Sequence, residues 1–335
     1  MEKEIRLIFR KLLFLALLLR PYTMQVSYLP FPKILFFFSL LFIFMMELKA
    51  QTLTFEKQED GWLLLDDGKP RYFYQTATKS LDGKYPRANY IHPLYNTDGE
   101  VVTEDFPADH PHHRGIFWTW HQLWVGDQRA ADPWICEDII WEVKNVKTQT
   151  NPNGSASLEA RVIWKGTGTV KKNILEETLI ISYQRISSRA FRLAFDITLK
   201  PLLSDVRLGG SEDPKGYGGF SPRIKLSENV GFFDENGAVV PQELAVKAGP
   251  WINVTREKAE DPGVVIMGEP DRLPSYQGWI LRSENSMQNM AFPGSETLLL
   301  SKKAPHLRFK NQLLVHQGMD KQKIANQYRI FRNQP

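Results

Sequence analysis

Phe191-Arg192-Leu193-Ala194-Phe195-Asp196-Ile197-Thr198-Leu199-Lys200 carries a large apolar side chain at every odd position and mostly polar ones at the even positions. Successive side chains on a strand point to opposite faces, so a period of two predicts a strand buried on one face only. Two upstream runs repeat the pattern. Leu158, Ala160, Val162 and Trp164 alternate with Glu159, Arg161, Ile163 and Lys165, and Leu179, Ile181 and Tyr183 alternate with Thr178, Ser182 and Gln184. Turn-forming breaks such as Gly166-Thr167-Gly168 separate these runs, which predicts an antiparallel meander.

Working outward, further strands are predicted at 62–65, 71–75, 139–146, 264–267, 297–301 and 307–316. Only the end of the chain has helical spacing: Asp320 is placed to cap a helix whose one face carries Ile324, Tyr328 and Phe331. Gly and Pro are scattered through the connections, and there is no internal repeat, heptad or low-complexity tract. Residues 51–335 therefore predict one all-β domain, a large antiparallel β-sandwich with a short C-terminal helix.

The first 50 residues differ. Lys33 precedes thirteen uncharged, mostly apolar residues, 34–46, and Ala50 closes the segment. A positive flank, a short apolar run and a small final residue predict a cleaved signal peptide over 1–50, and hence a periplasmic or secreted protein. The run falls short of the roughly 20 apolar residues that cross a bilayer. An uncleaved anchor is the alternative, because a second apolar run, 12–19, lies upstream; Met24 between the two is an alternative start. Residues 1–50 hold seven of the 42 Lys/Arg and three of the 38 Asp/Glu, which leaves 35 of each sign in the rest. A neutral mature chain has no electrostatic footprint for nucleic acid, and no membrane span is expected in it. Cys136 is the only cysteine, so no intramolecular disulfide forms, and its apolar flanks predict burial.

Five of the seven histidines, 92, 110, 112, 113 and 121, fall within thirty residues. Imidazole titrates near neutrality, moves protons and binds metals, and three in four positions serve few structural needs. If the backbone around Pro111 is extended, His110 and His112 share a face and His113 points away. One of these imidazoles beside a carboxylate, Asp109, Glu104 or Glu212, makes a general acid/base pair. Alternatively, His110, His112 and His121 hold one divalent metal ion. Arg114 and Arg223 are candidates to orient substrate hydroxyls. The Gly-rich stretch 209–219 predicts a loop whose backbone can approach a ligand, with Lys215 and Tyr217 as contacts. Trp118 and Trp120 share a face; aromatic faces pack on sugar rings, although most such residues serve the core. His92 and His316 complete the candidate substrate contacts.

Asp105-Phe106-Pro107-Ala108-Asp109-His110-Pro111-His112-His113-Arg114-Gly115 resembles the signature of the PmoA-like family of bacterial proteins. Tyr90-Ile91-His92-Pro93-Leu94-Tyr95, Lys215-Gly216-Tyr217-Gly218-Gly219 and Leu313-Leu314-Val315-His316-Gln317-Gly318 fit it as well. The resemblance spans nearly all of residues 55–331 and implies a part in secreted polysaccharide degradation. The family borrows its name from a membrane methane oxygenase subunit, an activity at odds with a mature chain without spanning helices. A β-sandwich like that of galactose mutarotase suits the length. The leading expectation is a carbohydrate-active enzyme, hydrolase or lyase before epimerase. It would use His110, His112, His113, Asp109 and Glu212 on a carbohydrate substrate with no cofactor. A metal-dependent enzyme and a non-catalytic glycan-binding module are the competing readings.

Overall fold

The alternation at 191–200 is realised in a computed structural model that describes residues 52–284 and 287–334. The strand Ala190–Pro201 buries Phe191, Leu193, Phe195, Ile197 and Leu199 and turns Arg192, Ala194, Asp196 and Thr198 outward. It belongs to a consecutive antiparallel meander, Ile139–Asn151, Ser155–Gly166, Asn173–Ser187 and Ala190–Pro201, as the sequence predicts. Leu307–His316, Gly263–Gly268, Trp251–Thr255 and Gly231–Phe233 extend this into an eight-stranded sheet. A second sheet runs Leu53–Lys57, Gly61–Asp66, Lys69–Gln75, Tyr90–Leu94, Ile116–Trp120 and Gly218–Pro222. The predicted signal segment, residues 1–50, lies outside the described residues.

The two sheets meet face to face through large side chains. Trp118 of the six-stranded sheet packs on Phe195 of the eight-stranded one at 5.9 Å between ring centres, and Phe220 packs on Phe195 at 5.0 Å. Trp120 adds contacts to Trp164, Phe292 and Phe309. Trp118 and Trp120 are therefore core residues, and the expectation that they form a sugar platform is corrected. Strand periodicity puts both on the face turned to the opposite sheet, and each indole N–H is already used, on Glu177 and on the Phe292 carbonyl. The C-terminal helix, Lys321–Arg332, begins where the Asp320 side chain accepts the Lys323 N–H. It covers Trp251, Val265, Met267 and Leu314 on the outer side of the eight-stranded sheet with Ile324 and Phe331. Cys136 is buried. Among the described residues, no helix is long and apolar enough to cross a membrane.

One carboxylate sits wholly inside this core. Glu177 occupies the inward register of Leu175, Leu179 and Ile181. Its oxygens accept N–H groups from Trp164 at 2.7 Å, Trp118 at 2.8 Å and Asn89 at 3.0 Å, and the Asn89 carbonyl in turn accepts the Tyr74 hydroxyl. Asn89 and Trp118 belong to the other side of the sandwich, so the group ties the two sheets together. Burial nonetheless raises its pKa to about 7, because desolvation outweighs the three donors.

Glu177→Ala should destabilise the protein by about 3 kcal/mol or more, since each orphaned buried donor costs about 1–3 kcal/mol. The folded chain holds this proton up to about pH 7, whereas an unfolded glutamate releases it near 4.3. Stability from this group is therefore lost as pH rises between those values. Urea midpoints of the two proteins across that window check both statements. Parallel pH profiles would show that Glu177 titrates normally.

Candidate functional site

The histidine segment lies in the connection between two neighbouring strands, Tyr90–Leu94 and Ile116–Trp120. Its ends are tied to the chain just after Gly218–Pro222: Glu104 N–H donates to the Arg223 carbonyl, and Arg223 N–H to the Gly115 carbonyl at 2.6 Å. Gly115 is required there, because a Cβ would stand 2.2 Å from the Ile91 carbonyl oxygen. Between these ties the chain turns twice, with His110 N–H on the Pro107 carbonyl and His113 N–H on the His110 carbonyl at 2.9 Å. Pro111 is the second residue of the latter turn, the position its fixed φ suits.

Of the two backbone courses open around Pro111 the chain takes the turn, not the extended one on which His110 and His112 would share a face. The turn's first and fourth residues come together, so the rings of His110 and His113 stack at 4.7 Å, nearly parallel. His112 meets His113 edge-on at 4.6 Å and Tyr85 at 6.1 Å. The segment is held from below by Arg114, which is fully buried. Its guanidinium donates to the carbonyls of Pro111, His113 and Tyr85 and lies 3.5 Å from the ring centre of Phe106. Phe106 has a φ of +51°, costly for a bulky residue. The cation–π contact is what secures it.

Arg223 organises the acidic partners. Only 1 % exposed, it donates from Nε to Glu104 at 2.7 Å, from Nη2 to Asp109 at 2.8 Å and from Nη1 to His113 Nδ1 at 3.3 Å. The last bond makes His113 Nδ1 an acceptor and places its proton on Nε2. Burial, reinforced by His112, His110 and Arg223, drives the His113 pKa far below the ordinary range. The second oxygen of Asp109 takes His110 Nδ1–H at 2.7 Å. Partial burial pulls the Asp109 pKa up, but the bonds from His110 and Arg223 outweigh it and hold the carboxyl below its usual value. His110 keeps Nε2 without a partner among the described residues and has 44 % of its side chain exposed. Burial, with the charges of His110, Arg87, His121 and Arg114, lowers His112 to about 4, so its ring is neutral at pH 7.

The turn packs against a buried cluster of Phe117, Tyr90, Trp134 and Met287 on the face of the six-stranded sheet turned away from the core, with partly buried Tyr217 and Ile135 on it. The indole of Trp134 lies 6.0 Å from His113, 5.2 Å from His121 and 5.7 Å from Tyr217. His121 Nδ1–H donates to Asp132 at 3.0 Å. Arg129 bridges Asp132 to Glu212, which is 60 % exposed, at 2.7 Å. Arg282 donates to the Tyr217 hydroxyl and to the carbonyls of Gln242 and Glu243.

Of the sequence-predicted residues, the structure brings together His110, His112, His113, Asp109, Tyr217 and, at the far edge, Glu212. Arg114 and Arg223 grip the loop from inside, a correction to the expectation that they orient a substrate: both are buried, Arg223 donates to Glu104, Asp109 and His113, and Arg114 donates to three carbonyls with its Nε 3.6 Å from Asp105. His316 stands elsewhere. It is buried in the eight-stranded sheet, bonded to Asn253 and to the Gly318 N–H, and lines a cavity of about 420 Å³ with Ile224 and Val254. His92 hydrogen-bonds Thr103. Lys215 lies 3.9 Å from Glu243. The Gly-rich stretch packs on its own chain rather than opening to a ligand, since a Cβ on Gly210 would meet the Gly216 carbonyl oxygen at 2.3 Å. Among the described residues, no three His, Cys, Asp or Glu side chains are grouped to hold a metal ion, and the rings of His110 and His112 meet edge to face at 5.7 Å. The sequence reading misses Asp132 and Arg129 and does not single out Trp134. The available signal was Asp132-Pro133-Trp134, an Asx turn in which the carboxylate takes the N–H of Trp134.

A family described as a family of unknown function (DUF6807) matches residues 61–329. No curated protein matches the chain. Among solved structures, a mutant of the heparan sulfate lyase HepC from Pedobacter heparinus is similar at 8% identity and a TM-score of 0.35. The likeness covers 81% of this chain and 36% of that one, so this chain spans about a third of its length.

Arg223→Met should cost about 3 kcal/mol, because it strands two carboxylates beside a buried site, while Glu104→Gln at the exposed end should cost about 1 kcal/mol or less. Acid should weaken the fold. Histidines 92, 112 and 316 are each lowered to about 4, burial being the first cause. The unfolded chain binds those protons near 6.5, so the stability they contribute above that pH is lost as pH falls toward 4. Four depressed imidazoles, His113 included, outweigh the opposite slope of Glu177. Urea midpoints that rise on acidification from pH 6.5 would overturn this.

Proposed function

Because the chain belongs to that family of unknown function, its role has to be read from its own residues, and we propose that it is an exported carbohydrate-active enzyme in which the Asp109–His110 pair moves a proton on a sugar. The observation that carries this reading is the exposed His110 ring with a buttressed carboxylate on Nδ1 and an open Nε2. Asp109 selects the tautomer whose Nε2 lone pair faces out and stabilises the imidazolium that forms when it is protonated. Arg223 keeps Asp109 ionised and pointed at the ring.

His110 then takes a proton from a hydroxyl, an activated carbon or water and returns it to the oxygen that leaves. His112, neutral and with neither ring nitrogen partnered among the described residues, supplies a hydrogen bond to a sugar hydroxyl. Half-buried Tyr85 beside His112 and half-buried Tyr217 beside Trp134 offer ring surface. The likeness of the histidine motif to PmoA-like proteins supports a carbohydrate substrate. Hydrolysis and elimination are the preferred reactions, and residues 1–50 act as the signal peptide that exports the chain.

The purified chain is to be incubated with pectin, alginate, xylan, mannan and chondroitin sulfate, scoring new reducing ends and unsaturated products. On a polysaccharide that is cleaved, His110→Ala should lower turnover by about 10²-fold or more, and Asp109→Asn by a similar factor through the wrong tautomer. No product from any of the five, or full activity in His110→Ala, would sink this reading.

A further inference from the structure

We infer that His121 is a second proton-transfer group, built to the same plan as His110 and set on the other side of Trp134. The inference rests on the acid/base reading of His110 and adds the residue that completes it. Asp132 is fully committed. One oxygen accepts the backbone N–H groups of Trp134 at 3.1 Å and Ile135 at 3.4 Å, and the other accepts His121 Nδ1–H at 3.0 Å and Arg129 Nη2–H at 3.4 Å. That carboxylate holds the His121 proton on Nδ1 and leaves Nε2 without a partner among the described residues. The ring keeps 20 % of its side chain exposed and stacks on the Trp134 indole within 20° of parallel.

The charged and titratable groups around the two rings are known. His110 faces Asp109, His112 and His113, with Arg223 behind them; His121 faces Asp132 and Arg129, with Glu212 beyond. Trp134 lies between the sets, touching His113 on one side and His121 on the other. The substrate is a sugar that reaches both open Nε2 atoms; the Trp134 indole between them is buried and packs the two sets together. One imidazole enters neutral and takes a substrate proton; the electron pair left behind forms the new bond. The other enters as imidazolium and gives its proton to the departing oxygen, which leaves with the electrons of its broken bond. The two rings finish with their charges exchanged, and solvent resets them. Such a pair fits elimination, where one proton leaves the substrate as another arrives.

The probe is diethyl pyrocarbonate, which acylates accessible, unprotonated imidazole nitrogens, applied to the full chain at pH 7 and read by peptide mass spectrometry. His121 should react within about threefold of the His110 rate, and both about tenfold or more faster than buried His113 and His316. Asp132→Asn lets the amide donate to Nδ1, moves the proton to Nε2 and should cut His121 acylation about tenfold with the near-ultraviolet dichroism unchanged. Should that variant not fold, ¹⁵N chemical shifts of His121 in the unaltered chain decide: the Nδ1–H tautomer supports the inference, and Nε2–H overturns it. An unreactive His121 overturns it too, even in a chain that cleaves a glycan through His110. A reactive His121 with a blank polysaccharide screen instead removes the carbohydrate reading and leaves the second dyad standing.

Discussion

A carboxylate with no water around it holds the two sheets in register. Glu177 receives indole N–H groups from both sides of the sandwich and an amide from Asn89, and no apolar side chain could replace it without stranding all three donors. The network is directional where the rest of the core is not. Large rings such as Trp118, Phe195 and Phe220 tolerate small slides past one another, whereas three hydrogen bonds of 2.7–3.0 Å to one group do not. The strand carrying Trp118 on its inner side carries Phe117 on its outer side and leads on to His121, so the clamp inside positions the aromatic cluster on which the histidine turn rests.

The histidine segment and its neighbours are irregular chain, and irregular chain leaves carbonyl groups without strand partners. Buried or half-buried arginines answer this repeatedly. Arg87 donates to the carbonyls of Pro133 and Trp134, Arg114 to those of Pro111, His113 and Tyr85, and Arg282 to those of Gln242 and Glu243. Five donors in a fixed fork suit the task, and an aromatic face takes the cation, at Arg87 with no carboxylate among the described residues and at Arg114 beside the Asp105 carboxylate. Arg87 lies 4.3 Å from the Trp141 ring centre, and Arg114 lies on Phe106. Arg223 departs from this pattern: its side chain grips carboxylates and a histidine, and so aligns Asp109 with His110.

The strands were legible because period two is a local signal. The predicted Leu307–His316 strand coincides with the observed one, and the helix cap at Asp320 was equally visible. The position of Glu177 was visible in principle, since the odd-numbered register of Leu179, Ile181 and Tyr183 carries back onto it. The site was less legible. Histidine density marks the segment, but whether it runs extended or turns depends on hydrogen bonds to Arg223 and Gly115, more than a hundred residues apart. The inward fate of Trp118 and Trp120 depends on which face meets the other sheet, and alternation alone gives no sign of that. Asp132 and His121 are eleven residues apart and become partners only through strand pairing between Gln122–Val125 and Gln128–Ala131.

A carbonyl oxygen presents the same lone pairs whatever side chain its residue bears. The loops gripped by Arg87, Arg114 and Arg282 are thus held by parts of the chain that substitution does not alter. Side chains along 242–243 are free to diversify for new ligands while the backbone path persists, whereas Pro111 suits its turn and His113 and Trp134 keep contacts of their own. The burden of constancy falls instead on three guanidinium groups outside the varying surface. A scaffold of this kind separates what must be kept from what is available for selection to change.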